Sequence, residues 1–165
     1  MHTLYNLHPA SYQENIRNLV VKMAQQYNKT CYISFNDPFN IVVRFLETIP
    51  ALPQEKFIVV DASSNLHAKK AIDMRTYTVP VHDIFRVYLF LRDIVANEKV
   101  NHLFLDSLSA LIHKFPELPL QRSMTDFMLE VGSWKCDTSM VLFREHEQHP
   151  LPQSLAPFLS RNIVM

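Results

Sequence analysis

Four apolar segments of this sequence each end in polar residues, and those residues are the first candidates for binding or catalysis. Two of the segments end in aspartate, at Asp61 and Asp106, and Ser107 follows the second. Carboxylate oxygens are the ligands that hard cations prefer, so the two aspartates could hold Mg²⁺ or a magnesium-bound nucleotide. Arg144 follows another of the segments and could add a positive charge to that site. The alternative is structural, because the aspartates could instead cap the turns that follow them or pair with Arg144.

The elements that would position these residues can be predicted from the spacing of apolar residues. Short, continuous apolar segments are typical of strands that are buried on both faces. Five such segments lie at 30–35, 56–61, 100–106, 138–145 and 161–165. Apolar residues at helical spacing lie at 10–27, 39–46, 82–97 and 119–134. This alternation predicts an α/β fold, a three-layer sandwich with a mostly parallel central sheet, in which ligands bind beyond the carboxyl ends of the strands.

The chain is long enough to bury a sizeable core and short enough, at 165 residues, to form a single globular domain. We expect residues 30–165 to form the α/β domain and residues 1–29 to add an N-terminal helix packed on that core. Residues 62–79 have no regular pattern and are expected to form a long loop or short elements.

The composition argues against several classes of protein. Apolar residues make up 48% of the chain and charged residues 19%, which is typical of a globular protein. Sixteen basic and sixteen acidic residues cancel, whereas nucleic-acid-binding proteins usually have a basic excess, so we expect no nucleic-acid partner. No apolar run reaches the ~20 residues that a membrane helix needs, and the first residues lack a secretion-signal pattern. Together with Cys31 and Cys136 in or near apolar segments, this predicts a cytoplasmic protein with reduced thiols.

The segment "HLFLDSLSALI" (102–112) resembles the Walker B strand of RecA-fold ATPases of the KaiC type, which reads as an apolar run, Asp, Ser, Leu or Ile, and Ser. "CYISF…FNIVVRFLE" is similar to the family's first strand and to the helix after its phosphate loop, and "KFIVVDASS" to its second strand. "SMTDFMLEVGSWKCDTSMVLFREH" and "LAPFLSRNIVM" resemble its later segments. The resemblance covers roughly residues 30–165, implies a RecA/KaiC-like, P-loop NTPase fold, and matches Asp106 with the Walker B aspartate.

The sequence lacks the phosphate loop of that family. In the family, the first strand leads into a glycine-rich loop that ends in Lys and Ser or Thr, which bind the phosphates and Mg²⁺. The residues after the corresponding strand here, Asn36, Asp37 and Pro38, include none of these types. Pro38 lacks an N–H donor, and Asp37 is predicted to cap the following helix and to repel a phosphate. The segment is therefore interpreted as a degenerate phosphate loop, a site that has been filled.

The resemblance and the missing loop together predict a catalytically inactive RecA/KaiC-like protein. We expect it to act as a regulatory or protein-interaction module, for example in signal transduction, with no catalytic residue, cofactor or metal of its own. Its partner would be another protein or a second copy of the chain. The first alternative is a nucleotide-binding protein or ATPase that binds ATP and Mg²⁺ at an unconventional site of Asp61, Asp106 and Arg144. The second is a phospho-receiver or a metal-dependent enzyme centred on Asp106.

Two local patterns could indicate other sites. His146 and His149 lie in a proline-rich loop at a spacing that metal ligands can have, but spacing fixes no third ligand. Ser107 and Ser109 could be nucleophiles, but the sequence has no G-x-S-x-G turn to expose a catalytic serine. Neither pattern is therefore taken as a predicted site.

The predicted helix at 82–97 has an unusual distribution of apolar residues. Its polar stripe is narrow and is interrupted by Phe90. Large exposed apolar patches are rare on monomers, so this helix is expected to be covered on more than one face. Deep burial within the domain and contact with a second subunit or partner both remain open as explanations.

Overall fold

The fold is seen in a computed structural model that describes residues 1–63, 75–79 and 84–165. Seven strands occur in these ranges. In chain order they are β1 (His2–Leu7), β2 (Thr30–Ser34), β3 (Phe57–Asp61), β4 (Arg75–Thr78), β5 (His102–Asp106), β6 (Asp137–Phe143) and β7 (Arg161–Val164). The α-helices of the same ranges are α1 (Tyr12–Gln26), α2 (Phe39–Glu47), α3 (Ile84–Glu98), α4 (Leu108–Lys114), α5 (Glu117–Ser133) and α6 (Pro150–Leu155).

The described strands form one sheet in the order β4-β3-β2-β5-β6-β1-β7, and every neighbouring pair is parallel. Each residue of β2, β3 and β5 is buried, as the continuous apolar segments predict for strands covered on both faces. β7 lies at an edge and is mostly exposed. The prediction of a parallel α/β sheet is confirmed.

Helices cover both faces of the sheet. One apolar cluster joins the sheet to α1 and α2, through side chains such as Ile16, Val20 and Leu46. The other joins the opposite face to α3, α4, α5 and α6, with Leu91 and Phe127 among its buried members. The three-layer arrangement predicted from the sequence is therefore correct. No helix in the described ranges has the length and apolar character needed to cross a membrane.

The expectation for residues 1–29 is incomplete. The predicted helix is present as α1, but His2–Leu7 ahead of it forms β1, which lies inside the sheet between β6 and β7. β1 escapes detection because Thr3 and Asn6 interrupt its apolar pattern, although both are buried. The Asn6 amide donates a hydrogen bond of 2.6 Å to Asn162 on β7. A polar residue is tolerated in a buried strand when a neighbouring strand supplies its partner.

The segment 62–79, for which only a loop or short elements are expected, contains the edge strand β4. Tyr77 in this strand donates a hydrogen bond to Glu98 at the end of α3. Residues 64–74, with Lys69 and Lys70 among them, lie outside the described residues, and so do the first two residues of the helix predicted at 82–97.

Candidate functional site

The carboxyl ends of β2 and β5 meet at the centre of the sheet, which is where an open parallel sheet usually binds a ligand. The chain leaves β2 toward β3 on one side and leaves β5 toward β6 on the other. Diverging connections of this kind open a crevice above the two strand ends. The register pairs Ser34 of β2 with Asp106 of β5, so Asp106 lies at the base of this crevice.

Asp106 is covered by two tyrosines. Its side chain is only 2% exposed, and its Oδ2 atom accepts hydrogen bonds from the phenols of Tyr12, at 2.5 Å, and Tyr32. Tyr12 is the first residue of α1, and Tyr32 is in the middle of β2. Oδ1 of Asp106 is buried and has no hydrogen-bond partner among the described residues. Both phenols therefore hydrogen-bond one oxygen of the carboxylate and leave the other without a partner in the described ranges.

The charge state of this cluster follows from its burial. The pKa of Asp106 is raised to about 6, chiefly by burial; the two phenol hydrogen bonds lower it, and Asp37 adds a smaller upward effect. Burial and the neighbouring carboxylate also raise the pKa values of Tyr12 and Tyr32 far above the ordinary tyrosine value. Both phenols therefore stay protonated and donate their hydrogen bonds throughout the physiological range.

The turn between β1 and α1, His8–Ser11, uses its own backbone donors. The N–H of Ala10 donates to Nδ1 of His8 at 3.2 Å, and the N–H of Ser11 donates to the His8 carbonyl at 3.1 Å. The N–H of Tyr12 donates to the Pro9 carbonyl, and Pro9 has no N–H to offer. Backbone N–H groups that are already paired cannot cradle a phosphate.

The turn after β2 is also closed by hydrogen bonds between its own residues, but not by the predicted cap from Asp37. Ser34 Oγ accepts from the N–H of Asp37 at 3.0 Å and donates to its carbonyl at 2.7 Å. The prediction that Asp37 caps the next helix is wrong, because α2 begins after Pro38 and no side chain of the N-cap residue caps it. The carboxylate that reaches the first N–H of α2, at Phe39, is Asp61 Oδ2 on the neighbouring strand, at 3.1 Å.

Asp61 has the structural role that the sequence offered as an alternative. Besides Phe39, its carboxylate accepts hydrogen bonds of 2.8 Å from both the N–H and the hydroxyl of Ser63 in the turn that follows β3. Asp61 is completely buried. Its hydrogen bonds therefore stabilise the end of β3 and the start of α2, where its negative charge lies close to backbone N–H groups.

The geometry does not bring Asp61, Asp106 and Arg144 together. Asp61 and Asp106 are on strands that flank β2, about 10 Å apart at the usual strand spacing. Arg144 follows β6, a further strand away, and its guanidinium donates to the carbonyl of Met165 at 3.1 Å. Ser107 is joined to Asp106 by a cis peptide bond, is buried, and precedes α4 without capping it through its side chain.

Sequence reasoning missed Tyr12, Tyr32 and Lys114. Lys114, the last residue of α4, donates a 2.6 Å hydrogen bond to the Phe35 carbonyl at the end of β2. Partial burial lowers the pKa of Lys114, and the nearby Asp61 partly offsets that effect. Tyr32 carries the one local signal, since a buried tyrosine hydroxyl usually needs a hydrogen-bond partner. Nothing in the sequence near Tyr12 or Lys114 indicates that either side chain reaches this edge of the sheet.

The pocket that Tyr12 and Tyr32 line together is small, whereas a second one, of about 630 Å³, lies over residues 9–14 and Arg17. A pocket of about 80 Å³ lies between α1 and α2, bounded by Tyr12, Tyr32, Asp37 and apolar side chains of the two helices. Sites for drug-sized ligands and cofactors are usually roughly 300–1,000 Å³. The pocket between α1 and α2 is therefore too small for a nucleotide.

The histidines of the loop 146–149 serve as local structural groups. His146 Nδ1 lies 3.0 Å from Ser109 Oγ, which also accepts from the N–H of Phe143 at 2.8 Å. His149 accepts from the N–H of Leu151 and so caps α6. Across the described ranges, no three His, Cys, Asp or Glu side chains are grouped closely enough to hold a metal ion.

Comparison with solved structures identifies the fold. The chain is similar to a KaiC-like protein of the hyperthermophilic archaeon Pyrococcus horikoshii, with a TM-score of 0.72 and 9% identity, over 99% of this chain and 69% of that one. It is also similar to an uncharacterised protein of the same organism, solved in complex with an unknown peptide, with a TM-score of 0.70 and 11% identity, over 99% and 76% of the two chains. The RecA/KaiC-like fold implied by the sequence is therefore confirmed.

Comparison at the level of sequence finds less. No protein-family model matches the chain, and no curated protein matches it. The likeness is therefore one of fold, and the chemistry of the site has to be argued from this chain's own residues.

Proposed function

We propose that this protein is a RecA/KaiC-like module that no longer binds nucleotide and works in regulation or protein interaction. The observation that carries the proposal is the pair of phenols on Asp106. The sequence resemblance matches Asp106 with the aspartate that serves Mg²⁺ in KaiC-type ATPases. In this chain the carboxylate of Asp106 instead accepts hydrogen bonds from the phenols of Tyr12 and Tyr32.

The residues at this edge do not fit a magnesium-bound nucleotide. Mg²⁺ requires near-octahedral oxygen ligands and favours ionised carboxylates. Asp106 is buried, and its Oδ2 already accepts two hydrogen bonds. To bind Mg²⁺, the cluster would have to release both phenols, and Lys114 at the same edge already donates to the Phe35 carbonyl.

The order of strands supports a different position for the altered phosphate loop. The sequence places it at 36–38, after the strand that was taken as the first. β1 precedes that strand, so the first strand–turn–helix unit of the sheet is β1, residues 8–11 and α1. We assign the altered loop to His8–Ser11, where the backbone donors are paired within the turn. Glu14 in the first turn of α1 adds a negative charge that disfavours a phosphate there.

An interaction role is supported by one of the structural neighbours. The uncharacterised protein of Pyrococcus horikoshii was solved in complex with a peptide, so a protein of this fold can bind a polypeptide. The cytoplasmic location and the lack of a nucleic-acid partner stay predictions from composition.

The proposal is tested by thermal melting with and without millimolar Mg²⁺–ATP. A ligand that binds only the folded state at 100 times its Kd stabilises it by about 2.7 kcal/mol. For a chain of this size, that corresponds to a rise in Tm of roughly 5–10 °C. We expect a shift below about 1 °C, because the backbone donors of the turn at 8–11 are paired within the turn and two phenols hold Asp106.

Two aspartate variants control the melting experiment. Asp106→Asn removes the charge in question, and Asp93→Asn makes the same change at an exposed position of α3. A rise of several degrees that Asp106→Asn abolishes and Asp93→Asn retains would overturn the proposal in favour of an unconventional nucleotide site. A shift that appears instead with acetyl phosphate or another divalent metal, and depends on Asp106, would favour a phospho-receiver or a metal-dependent enzyme.

A further inference from the structure

A groove of about 500 Å³ runs between α3 and α5 on the face of the sheet away from Tyr12. The two helices are held side by side at its base by Tyr88, whose ring stacks on Phe127 at 4.6 Å and whose hydroxyl contacts Met124 Sδ at 3.5 Å. Both helices lead into parallel neighbouring strands, β5 and β6, so they run in roughly the same direction. The groove has one wall from each helix.

Each wall exposes a leucine. Leu89 on α3 is 39% exposed and Leu129 on α5 is 61% exposed, and both line the groove. Leu89 and Leu129 are one and two residues beyond the stacked pair Tyr88–Phe127, so the two walls expose leucines at a similar level. Exposed apolar side chains on both walls of one groove are a usual sign of a contact site.

The walls also carry opposite charges at one level. Arg92 and Glu130 each lie about one helical turn, roughly 5 Å, beyond the stacked pair Tyr88–Phe127. Asp126 adds a second negative charge to the α5 wall. The ion pair recorded for Arg92 is with its neighbour Asp93, at 3.7 Å between exposed groups, a type that contributes little. No salt bridge among the described residues involves Asp126 or Glu130.

This arrangement is complementary to itself. Consider a two-fold axis that runs along the groove, parallel to the helices. It places α3 of one copy over α5 of the other and leaves the level of each residue along the helices unchanged. It places Arg92 of one copy opposite Glu130 of the other, and Leu89 opposite Leu129, twice in each pair of copies. A two-fold interface requires a surface that matches itself in this manner. The formal net charge of the chain is zero, so two copies have no net charge repulsion to overcome.

We propose that the α3/α5 groove is the interface of a two-fold symmetric dimer of this chain. Helices of 15 and 17 residues are about 22–25 Å long, so two of them present a face at the low end of the size of specific interfaces. The expected dimer is therefore of moderate, micromolar affinity. Most apolar residues of α3 are buried in the domain, so the dimer has only Leu89 of this helix to cover, and it does not depend on whether nucleotide binds at the opposite edge of the molecule.

The test is the mass in solution, measured by sedimentation or light scattering from about 1 to 200 µM, a range that spans a micromolar Kd. The wild-type chain should approach twice 19.3 kDa at the upper end. Leu129→Asp should weaken the dimer at least tenfold, and Leu118→Asp serves as its control. Leu118 is 73% exposed on the same helix but does not line the groove, so its variant should dimerise like the wild type.

A charge exchange tests the orientation of the two copies. Arg92→Glu alone and Glu130→Arg alone should each weaken the dimer, and the double variant should restore it, because the pair is re-formed with its signs exchanged. These surface variants are checked for folding by their melting curves, so loss of the dimer can be distinguished from loss of the fold. A wild-type chain that stays monomeric up to 200 µM would overturn the proposal, as would equal effects of Leu118→Asp and Leu129→Asp. The melts with Mg²⁺–ATP are scored separately, so either proposal can fail alone.

Discussion

Asp106 is the residue on which the interpretation of the site depends. Its carboxylate lies at the end of the central strand, where the fold usually places a ligand, yet two phenols and the surrounding core take it out of contact with solvent. A carboxyl group with a raised pKa is less costly to bury when it is protonated. The titration of Asp106 should therefore contribute to the pH dependence of the free energy of unfolding.

We expect Asp106 to destabilise the fold as the pH rises. Its pKa is about 6 in the folded state and about 3.9 in an unfolded chain, so its favourable contribution is complete below pH 4 and is lost as the pH rises through 6. Asp106→Asn removes this titration. Urea unfolding at several pH values should show the variant gaining about 2 kcal/mol relative to wild type between pH 4 and pH 7.

The exposed substitution Asp93→Asn is the control for this pH dependence, since its side chain is 66% exposed. It should leave the wild-type pH profile of stability unchanged. If the difference between Asp106→Asn and wild type were the same at pH 4 and pH 7, Asp106 would not be the buried carboxyl described here.

Among the described helices, α5 exposes two leucines, Leu118 and Leu129. It buries Leu120, Met124 and Phe127 against the sheet and exposes Leu129 on its outer side. Near its end is Gly132, the one glycine of the chain. A helix loses stability at a glycine because the unfolded backbone has more freedom there. The helix form of Gly132 requires no special backbone angle.

Gly132→Ala should therefore stabilise the protein. A methyl group at this position would meet no heavy atom within 4 Å, so the substitution adds helix propensity without a clash. We expect a gain of about 0.5–1 kcal/mol in the free energy of unfolding, measured by chemical denaturation at low protein concentration. Ser133→Ala, one position further on and also exposed, provides a comparison without the change in backbone freedom. A loss of stability in Gly132→Ala would contradict this description of the end of α5.

At the scale of the whole molecule, the N-terminal segment belongs to the fold. β1 pairs with both β6 and β7, and α1 covers one face of the sheet through Ile16, Leu19 and Val20. A chain that begins at residue 30 would leave β7 without a neighbour and would expose an edge of β6 inside the former sheet.

Residues 30–165 alone should therefore fail to fold cooperatively. Circular dichroism during urea titration should show a broad, non-cooperative change in place of the sharp transition of the full chain. Addition of a peptide of residues 1–29 should recover part of the sharp transition, because it supplies β1 and α1. A truncated chain with a cooperative transition of its own would show that β1 and α1 are an appendage, as the sequence first suggested.

The sequence alone determined the class of fold and the position of Asp106. Buried parallel strands such as 30–34 and 102–106 are continuous in apolar residues, so a local pattern reveals them, and the polar residue that ends each strand is read directly. Only the tertiary structure revealed β1, whose buried Asn6 is acceptable because Asn162 on another strand is its partner.

The tertiary structure also decided what Asp106 contacts. Tyr12 and Tyr32 are 94 and 74 residues away from it along the chain, and Asp61 caps a helix that begins 22 residues earlier. Local patterns predict elements because they depend on neighbouring residues, whereas these contacts depend on how the strands are ordered in the sheet. The order of the strands is therefore the reason that Tyr12 and Tyr32 enclose Asp106.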